Sequence, residues 1–511
     1  MNAEVAVNAP AARRARVGWF LPAYLGTALL YGFVGYASPG YDDEFTNIEL
    51  IESLGGAVLG YVQHNDVHPP GSYLLDWLLY ATLRDWQLVR LAVALLTVAA
   101  IVYAVEWVRG RHGSRAGLLA AALLVFNPAM LMWCTGLRWY AFFVPVLLWL
   151  ACPPRADSAW YWAKCFLGLL VLAFLGYAAF IVALPILLIY WRASPQTRAA
   201  KCRAIALNGG AALLLYAYQA FVFLTVHAPN KESQTSGLLA GLTGFAIAQF
   251  GNQGVFPLSP GGVLGAIGTA GVAFTVFQSG LRSAFTAVRF QSYALASTLL
   301  LLCGLAGKFR NLVLLAPLQA LWFATAGVAP RRARQFWIFF TLLGLANLCG
   351  VINVMTHADT TKNSWNIPVG AVFEQLRVRR AACSNDLVVI TYDRGLAWHA
   401  ARAGYLVLSP FSTAPDAASL KTTHRCVAIL NTFGGGFSDG ALRRYRAELE
   451  QLEYRGKTRD TFGRDRYFAL KRRLDPTYPQ FLVERIELRE VRGLDRLHSW
   501  RVSAAARTDN H

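Results

Sequence analysis

The chain has 511 residues, of which 55% are hydrophobic and 15% are charged, and its mean hydropathy is +0.37. Soluble domains carry roughly 25% charged residues, so this composition excludes an ordinary soluble protein and predicts that most of the chain lies in lipid. The formal net charge of +19 does not predict nucleic-acid binding, because basic residues in a membrane protein first mark its cytoplasmic loops.

The first apolar run extends from Val17 to Ala37 and follows the basic residues Arg13, Arg14 and Arg16. A spanning helix needs about 20 apolar residues, whereas the apolar core of a signal peptide is usually shorter. We therefore predict an uncleaved first span with its basic end in the cytoplasm, and a cleaved signal peptide is the alternative.

The stretch from Tyr41 to Tyr73 combines acids, histidines and a Pro-Pro-Gly turn. Four apolar residues in it recur every three positions: Phe45, Ile48, Ile51 and Leu54. This spacing predicts an amphipathic helix that lies on the membrane surface and holds Asp42, Asp43 and Glu44 at its N-terminus, beside the bilayer. The alternative is that Asp42 or Asp43 only caps the helix.

The next apolar stretch, Tyr73–Leu83, is too short to span and contains Asp76, so it predicts a second interfacial or re-entrant helix. Ten longer apolar segments bring the predicted total to about eleven spans: Leu88–Trp107, Ala116–Cys134, Trp139–Cys152, Tyr161–Leu175, Tyr177–Trp191, Ala204–Val226, Val263–Phe277, Ser292–Ala306, Leu312–Val328 and Phe336–Met355. This arrangement collects most loop arginines and lysines on the cytoplasmic side. Counting Tyr73–Leu83 as a full span would move every later loop to the other side and break that pattern.

On this topology several polar features share the extracytoplasmic side. They are the Tyr41–Tyr73 stretch, Arg138, the pair Lys308 and Arg310, and everything after Met355. Acids and isolated cations that converge on one face suggest a site for an anionic ligand. The alternative is that the cations are side chains that anchor helix ends at the interface.

The composition changes from about Thr356 onward. Three short apolar runs predict buried strands: Asp386–Asp393, Gly404–Pro410 and Cys426–Thr432. Helices are predicted at Arg394–Ala403 and Gly440–Tyr454. The tail from Tyr478 is rich in both charge signs, which predicts partial disorder.

The predicted fold class is therefore a polytopic α-helical membrane protein of about eleven spans. Two interfacial helices lie in its first outer loop, and an extracytoplasmic α/β domain with a charged tail follows. The predicted domains are residues 1–355 and 356–511. The predicted location is the plasma (inner) membrane, with the N-terminus in the cytoplasm and the C-terminal domain outside it.

Two of the eight cysteines, Cys383 and Cys426, lie in the polar C-terminal part, each at or just before a predicted strand. Neighbouring strand starts of a parallel sheet share one edge, and thiols outside the cytoplasm tend to oxidise, so we predict a disulfide between them. The alternative is two buried free cysteines on non-adjacent strands.

The predicted outer face offers a specific chemistry. A carboxylate beside the membrane can act as a general base on a hydroxyl or amine, and nearby cations can hold a phosphate or diphosphate leaving group. The sequence contains no Ser/His/Asp elbow, Walker loop or zinc helix motif. These features favour glycosyl transfer from a lipid-phosphate sugar over hydrolysis.

Here the sequence resembles the GT-C class of polytopic glycosyltransferases, and within it the protein O-mannosyltransferase and aminoarabinose-transferase types, which use polyprenyl-phosphate sugars. The resemblance covers roughly residues 17–330 and rests on three places: Asp43-Glu44 after the first span, His68-Pro69-Pro70-Gly71, and Arg138-Trp139-Tyr140 after Asn127-Pro128. Late in the chain, the Gly307–Asn311 stretch before Pro317 resembles the family's arginine-containing outer helix end. The sequence departs from the family at Asn47, where a tyrosine is common, and at Gly136 and Leu137, where an acid is common.

The resemblance implies an inverting transfer in which Asp43 deprotonates the acceptor. It implies three groups of residues: Asp43 and Glu44 for catalysis, Arg138, Tyr140, Lys308 and Arg310 for the donor phosphate, and Asp42, Asp66 and His68 for shaping the acceptor side. It implies no cofactor, although Asp42, Asp43 and Asp66 are also suited to a divalent ion.

The partners that the resemblance implies are a polyprenyl-phosphate-linked sugar donor, membrane lipids, and a protein, lipid or polysaccharide acceptor, with no nucleic acid. One alternative function is a transporter or flippase of a lipid-linked substrate. Transporters place polar residues near the bilayer midplane, whereas here the predicted spans are nearly free of acids apart from Glu106. The other alternative is a non-catalytic assembly subunit, which would not need Asp43.

Overall fold

The structure is a computed structural model. It describes residues 10–37, 40, 42–65, 69–227, 258–283, 313–326, 333–359, 369–383, 387–391, 393–409, 426–432, 458–461, 466–467, 469–470, 473 and 481–486. Several predicted features lie outside these residues, including the Gly440–Tyr454 helix and the whole of the Ser292–Ala306 and Gly307–Asn311 segments.

Helices dominate the described chain, with strands only toward the C-terminus. The helices are α1 (Pro10–Ala37), α2 (Asp42–Leu54), α3 (Val58–Asn65), α4 (Gly71–Leu83), α5 (Trp86–His112), α6 (Ser114–Val125), α7 (Pro128–Trp133), α8 (Trp139–Ala151), α9 (Tyr161–Leu175), α10 (Ala179–Ala193), α11 (Arg198–Val222), α12 (Pro260–Ser283), α13 (Leu315–Ala326), α14 (Ala333–Thr356), α15 (Val369–Ala382) and α16 (Arg394–Arg402). The strands are β1 (Leu387–Thr391), β2 (Leu406–Leu408), β3 (Cys426–Thr432), β4 (Thr458–Thr461) and β5 (Phe481–Ile486).

The chain divides into two compact units. The helical unit comprises Met1–Ser38, Gly55–Asn252 and Pro260–Val351, whereas the mixed unit comprises Pro39–Leu54, Gln253–Ser259 and Ile352–His511. Helix α2 therefore belongs to the same unit as the C-terminal sheet, although some 300 residues of sequence separate them.

The helical unit contains helices that suit a lipid environment. Among the described residues, four helices are long and apolar enough to cross a membrane: Phe20–Ala37, Trp86–His112, Arg198–Thr225 and Ala333–Thr356. Large apolar side chains on α11 are exposed, as lipid-facing residues are, including Leu207, Leu213 and Leu214. The protein is thus a polytopic helical membrane protein, as the composition predicted, and the count of eleven spans stays a prediction.

Helix α5 packs against α1, α6 and α8 and forms the centre of the helical unit. Its approach to α1 is close, because a Cβ atom on Gly35 would lie only 2.9 Å from the Cβ of Ala94. At the other end of this contact Tyr24 donates a hydrogen bond to Glu106, which also accepts from Arg109 Nε at 2.9 Å. The single acid that we noted in the predicted spans thus has a structural role.

The sequence predicted one span at Ala116–Cys134, but the structure breaks it between α6 and α7. Pro128 has no N–H, so it cannot bond to the carbonyl of Leu124 four residues earlier. The buried hydroxyl of Tyr31 on α1 donates to that carbonyl instead, at 3.1 Å. The side chain of Asn127 caps α7 by accepting from the backbone N–H of Met130 at 3.0 Å.

The mixed unit contains a five-stranded sheet with the order β2-β1-β3-β5-β4. Strand β1 pairs parallel with β2 and β3, whereas β5 pairs antiparallel with β3 and β4. Helices α15 and α16 cover it with a core that includes Val372, Leu376, Val389 and Leu396. The three predicted strands and the helix at Arg394 are confirmed.

One segment of the charge-rich tail from Tyr478, for which partial disorder was predicted, forms a strand. Phe481–Ile486 forms β5 and lies between β3 and β4, with Val483 opposite Leu430. The local composition of this segment, rich in both charge signs, gave no sign of a strand.

Cys383 directly follows α15 and is disulfide-bonded. Its partner is none of the cysteines at 134, 152, 165, 202 and 349, which are free. Strands β1 and β3 are neighbours, with Leu387 opposite Cys426, so the alternative of free cysteines on non-adjacent strands is wrong. The pairing with Cys426 stays a prediction, because the side chain of Cys426 lies outside the described part of the chain.

Candidate functional site

Helix α2 begins at Asp42, as the apolar spacing predicted, and Asp43 and Glu44 follow in its first turn. Phe45, Ile48 and Ile51 are buried, with exposed fractions of 1%, 0% and 2%. Glu44 is buried as well. The side chains of Asp42 and Asp43 lie outside the described part, so the choice between a catalytic acid and a helix cap stays open on contacts alone.

The apolar face of α2 contacts protein, which corrects the expectation that it rests on lipid. The ring of Phe45 lies 5.2 Å from the ring of Trp398 and 5.4 Å from that of His399, both on α16. A Cβ atom on Gly395 would approach the Phe45 ring to 2.6 Å. Glycine at position 395 therefore admits the Phe45 ring against the first turn of α16.

Polar contacts extend the same interface along α2. Arg394 Nη1 donates to the hydroxyl of Thr46 at 2.7 Å and lies 3.6 Å from the Glu49 carboxylate. One turn further on, Arg402 donates to Glu52 at 3.2 Å. Helix α16 thus meets α2 with two arginines opposite two glutamates.

The electrostatic environment of Glu49 is unusual for a carboxylate. Burial raises the pKa of Glu49 to about 7, with a smaller contribution from the nearby Glu52, and the attraction of Arg394 only partly opposes this rise. The charge on this face of α2 therefore changes near neutral pH.

The predicted phosphate ligand Arg138 lies at the N-terminus of α8 in the helical unit. It is the N-cap residue, with extended backbone angles, and only 7% of it is exposed. Its carbonyl accepts from the N–H of Ala141 at 2.9 Å, which starts the helix. Tyr140, the third residue of the motif, is buried in the same turn; its ring packs edge-on against Trp133 and at a tilt against Trp139.

Hydrogen bonds with α5 and α7 hold the buried loop that carries Arg138. The hydroxyl of Thr97 on α5 donates to the carbonyl of Cys134 at 3.1 Å, and the hydroxyl of Thr135 donates to the carbonyl of Leu131 at 2.7 Å. Trp139 packs closely on Gly176 at the end of α9, where a Cβ atom would lie 2.8 Å from the indole ring. Three parts of the helical unit thus determine where Arg138 sits.

This arrangement suits an anion. The N-terminus of a helix carries unsatisfied N–H groups and the positive end of the helix dipole, which together favour a phosphate. A guanidinium at the same helix end adds a full positive charge and a geometry that matches two phosphate oxygens. Arg138 and α8 therefore combine two sources of positive potential in a buried setting.

The remaining predicted site residues lie outside the described part of the chain. They are Asp66, His68, Lys308 and Arg310. Within the described residues no group of three acids, histidines or cysteines is arranged to hold a metal ion. The side chains of Asp42, Asp43 and Asp66 are not among them, so the metal question stays a prediction.

Three buried charges of the helical unit were not among the predicted site residues, namely Asp76, Arg90 and Lys164, although Asp76 had been noted in its apolar stretch. Ionisable residues buried in a membrane protein are candidates for function. Lys164 has a structural role, because its ammonium donates to the hydroxyl of Tyr103 and the carbonyl of Cys152, each at 2.8 Å. Asp76 and Arg90 remain candidate functional residues. The available sequence signal was a charge inside an otherwise apolar stretch.

Comparisons with known proteins identify the fold. No protein-family model and no curated protein matches the chain. Solved structures do match, among them ArnT from Cupriavidus metallidurans in the apo state, with a TM-score of 0.54 and 13% identity over 93% of this chain and 98% of that chain. The same protein bound to undecaprenyl phosphate matches with a TM-score of 0.51 and 12% identity over 91% of this chain and 98% of that chain. The chain therefore has the fold of ArnT, and the resemblance to GT-C glycosyltransferases that its sequence suggested is confirmed at the level of the fold.

Proposed function

We propose that the protein is an inverting glycosyltransferase that moves a sugar from a polyprenyl-phosphate donor to an acceptor on the extracytoplasmic side of the membrane. The observation that carries the proposal is the ArnT fold over 93% of the chain, since one of the similar structures binds undecaprenyl phosphate. The buried Arg138 at the head of α8 supports it, because this position suits the phosphate of such a donor.

In the proposed reaction Asp43 takes the proton from the acceptor hydroxyl, and the oxygen attacks C1 of the sugar. The bond between C1 and the phosphate oxygen breaks, and its electron pair leaves with the lipid phosphate. Arg138, Lys308 and Arg310 neutralise that phosphate, and Tyr140 shapes its surroundings. Glu44 follows Asp43 in the sequence and is buried, and it supports Asp43 as the base.

Donor binding is tested first, with undecaprenyl phosphate as the probe and the purified full-length chain. Arg138→Ala is expected to weaken binding about 10- to 150-fold, because a hydrogen bond to a charged group contributes about 1.5–3 kcal/mol. Arg198→Ala removes an exposed arginine at the start of α11 and is expected to bind like the wild type. Equal affinity of wild type and Arg138→Ala would remove Arg138 from the site.

Turnover is tested with undecaprenyl-phosphate mannose and undecaprenyl-phosphate aminoarabinose, the donor types of the two groups that the sequence resembles. Native membranes supply the acceptor. Asp43→Asn is expected to abolish transfer with donor affinity retained, whereas Asp42→Asn keeps activity. Full activity of Asp43→Asn would contradict its role, and lipid movement without transfer would favour a flippase.

A further inference from the structure

We propose that helix α16 positions the first turn of α2, so that the C-terminal sheet and its helix α16 hold in place the helix turn that carries the base of the reaction. The proposal rests on the proposed function in one respect, the role of Asp43 as base. In that function no chemical step is assigned to Arg394, Gly395 or Trp398 of α16.

Helix α16 holds the ring of Phe45, the second residue after Asp43, in place. Its ring is 1% exposed and lies between Gly395, Trp398 and the edge of His399. Successive residues of an α-helix are rotated by about 100°, since a turn has 3.6 residues. Fixing Phe45 therefore fixes the rotation of the first turn of α2 about its axis, and Asp43 belongs to that turn.

A row of polar contacts with α16 fixes the position of α2 along its own axis. Arg394 reaches Thr46 at 2.7 Å and Glu49 at 3.6 Å, and Arg402 reaches Glu52 at 3.2 Å. Residues three or four apart share one helix face, so these three partners form one row with Phe45 beside its start. A slide of one turn would break all of these contacts together.

Helix α2 depends on its contacts with α16. It has 13 residues, and an isolated helix shorter than about 12–15 residues is marginal in water. The packing on α16, and the two arginines that α16 presents, supply attractive contacts to this helix.

The position of α2 matters for the proposed reaction. A base must lie within hydrogen-bond reach of the proton that it takes, and a misplacement of about 1 Å can cost about 100-fold in rate. Loosening α16 against α2 should therefore slow the chemical step and leave binding of the lipid phosphate unchanged. A purely structural role of α16 would instead lower the amount of folded protein without a change in the kcat of the folded fraction.

The test uses Gly395→Ala in the full-length chain, since the added methyl group would lie 2.6 Å from the Phe45 ring. Gly370→Ala on α15 of the same unit is the matched control, because a Cβ atom there has no neighbour within 4 Å. Amide hydrogen exchange of residues 42–54 is measured together with turnover of the two donors named above. We expect exchange in Gly395→Ala to be at least about tenfold faster, with kcat about 100-fold lower and KM within about twofold.

Arg394→Gln and Arg394→Lys provide a second, milder pair. Glutamine removes the charge that faces Glu49, whereas lysine keeps it, so partial rescue of kcat by lysine is expected. Unchanged exchange of α2 in Gly395→Ala overturns the proposal, and so does faster exchange with an unchanged kcat. Full turnover by Asp43→Asn, or a wild type that uses neither donor, contradicts the proposed function instead. In that case exchange alone decides whether α16 positions α2.

Discussion

Gly176 offers a precise way to move Arg138 without changing any charged group. It follows α9 and packs under the indole ring of Trp139, the residue next to Arg138. Its φ of −172° is extended and suits any residue, so Gly176→Ala adds a methyl group without backbone strain. The substitution therefore isolates the contact with the ring.

The expected magnitude follows from the distances. The new Cβ atom would lie 2.8 Å from Cε3 and 3.2 Å from Cζ3 of Trp139, whereas carbon atoms prefer about 3.5–4.0 Å, so the ring must shift by roughly 0.7–1.2 Å. The ring cannot swing freely, because it lies 4.2 Å from the ring of Tyr140 and 5.2 Å from that of Phe143. Overpacking of this kind costs about 1–3 kcal/mol.

Two measurements check this prediction in detergent-solubilised protein. The temperature of unfolding should fall, and the Kd for undecaprenyl phosphate should rise about tenfold, because a loss of about 1.4 kcal/mol in binding corresponds to that factor. Gly210→Ala on α11 is the control, since a Cβ atom there meets nothing within 4 Å. Wild-type affinity together with wild-type stability in Gly176→Ala would refute the link between Trp139 and Arg138.

Three further predictions concern stability. Tyr31→Phe should lower the free energy of unfolding by about 1 kcal/mol, because it leaves a buried carbonyl without its hydroxyl donor, and thermal unfolding in detergent measures this. The pKa of Glu49 is about 7 in the fold and 4.5 ordinarily, so the packing of α2 should be strongest below about pH 4.5 and weaken as the pH rises through about 7. Hydrogen exchange of α2 should show this pH dependence in the wild type and in Glu52→Gln, and Glu49→Gln should abolish it. Cys383→Ser should destabilise the mixed unit by about 3–4 kcal/mol if the bridge to Cys426 closes a loop of roughly 40 residues, and peptide mapping without reductant checks the pairing.

Each of these has an outcome that contradicts it. A melting temperature of Tyr31→Phe equal to that of the wild type would show that the carbonyl finds another donor. A wild-type pH profile in Glu49→Gln would place the titrating group elsewhere on the interface. Peptide mapping that finds Cys426 as a free thiol would assign Cys383 to a different partner.

The local parts of the structure were predictable from sequence. The three-residue spacing from Phe45 onward predicted α2 from its first residue, and the Arg138 motif lies where a new helix was predicted to start. Both follow from short-range rules, namely the helical period and the length of apolar runs. The same rules predicted the first three strands of the sheet.

The long-range parts were not predictable. An apolar face shows that something covers it but not what, so the partner of Phe45 on α16 had no signal in the sequence near it. The tail from Tyr478 suggested partial disorder by its mixed charge, and strand β5 within it was missed because strand pairing with distant residues does not appear in local composition. The break at Pro128 had a readable signal, the proline itself, which the length of the apolar run outweighed.

The separation of α2 from α16 along the chain has a consequence for the biogenesis of the protein. Thr46 and its hydrogen-bond partner Arg394 are 348 residues apart. At about 5–20 residues per second, roughly 17–70 s of synthesis separate the appearance of these two residues. During that time the face of Phe45 and its neighbours has no α16 to cover it. The nascent chain therefore passes through a long stage in which this short helix must be sheltered by lipid or by a chaperone, and premature termination before residue 394 would leave it permanently uncovered.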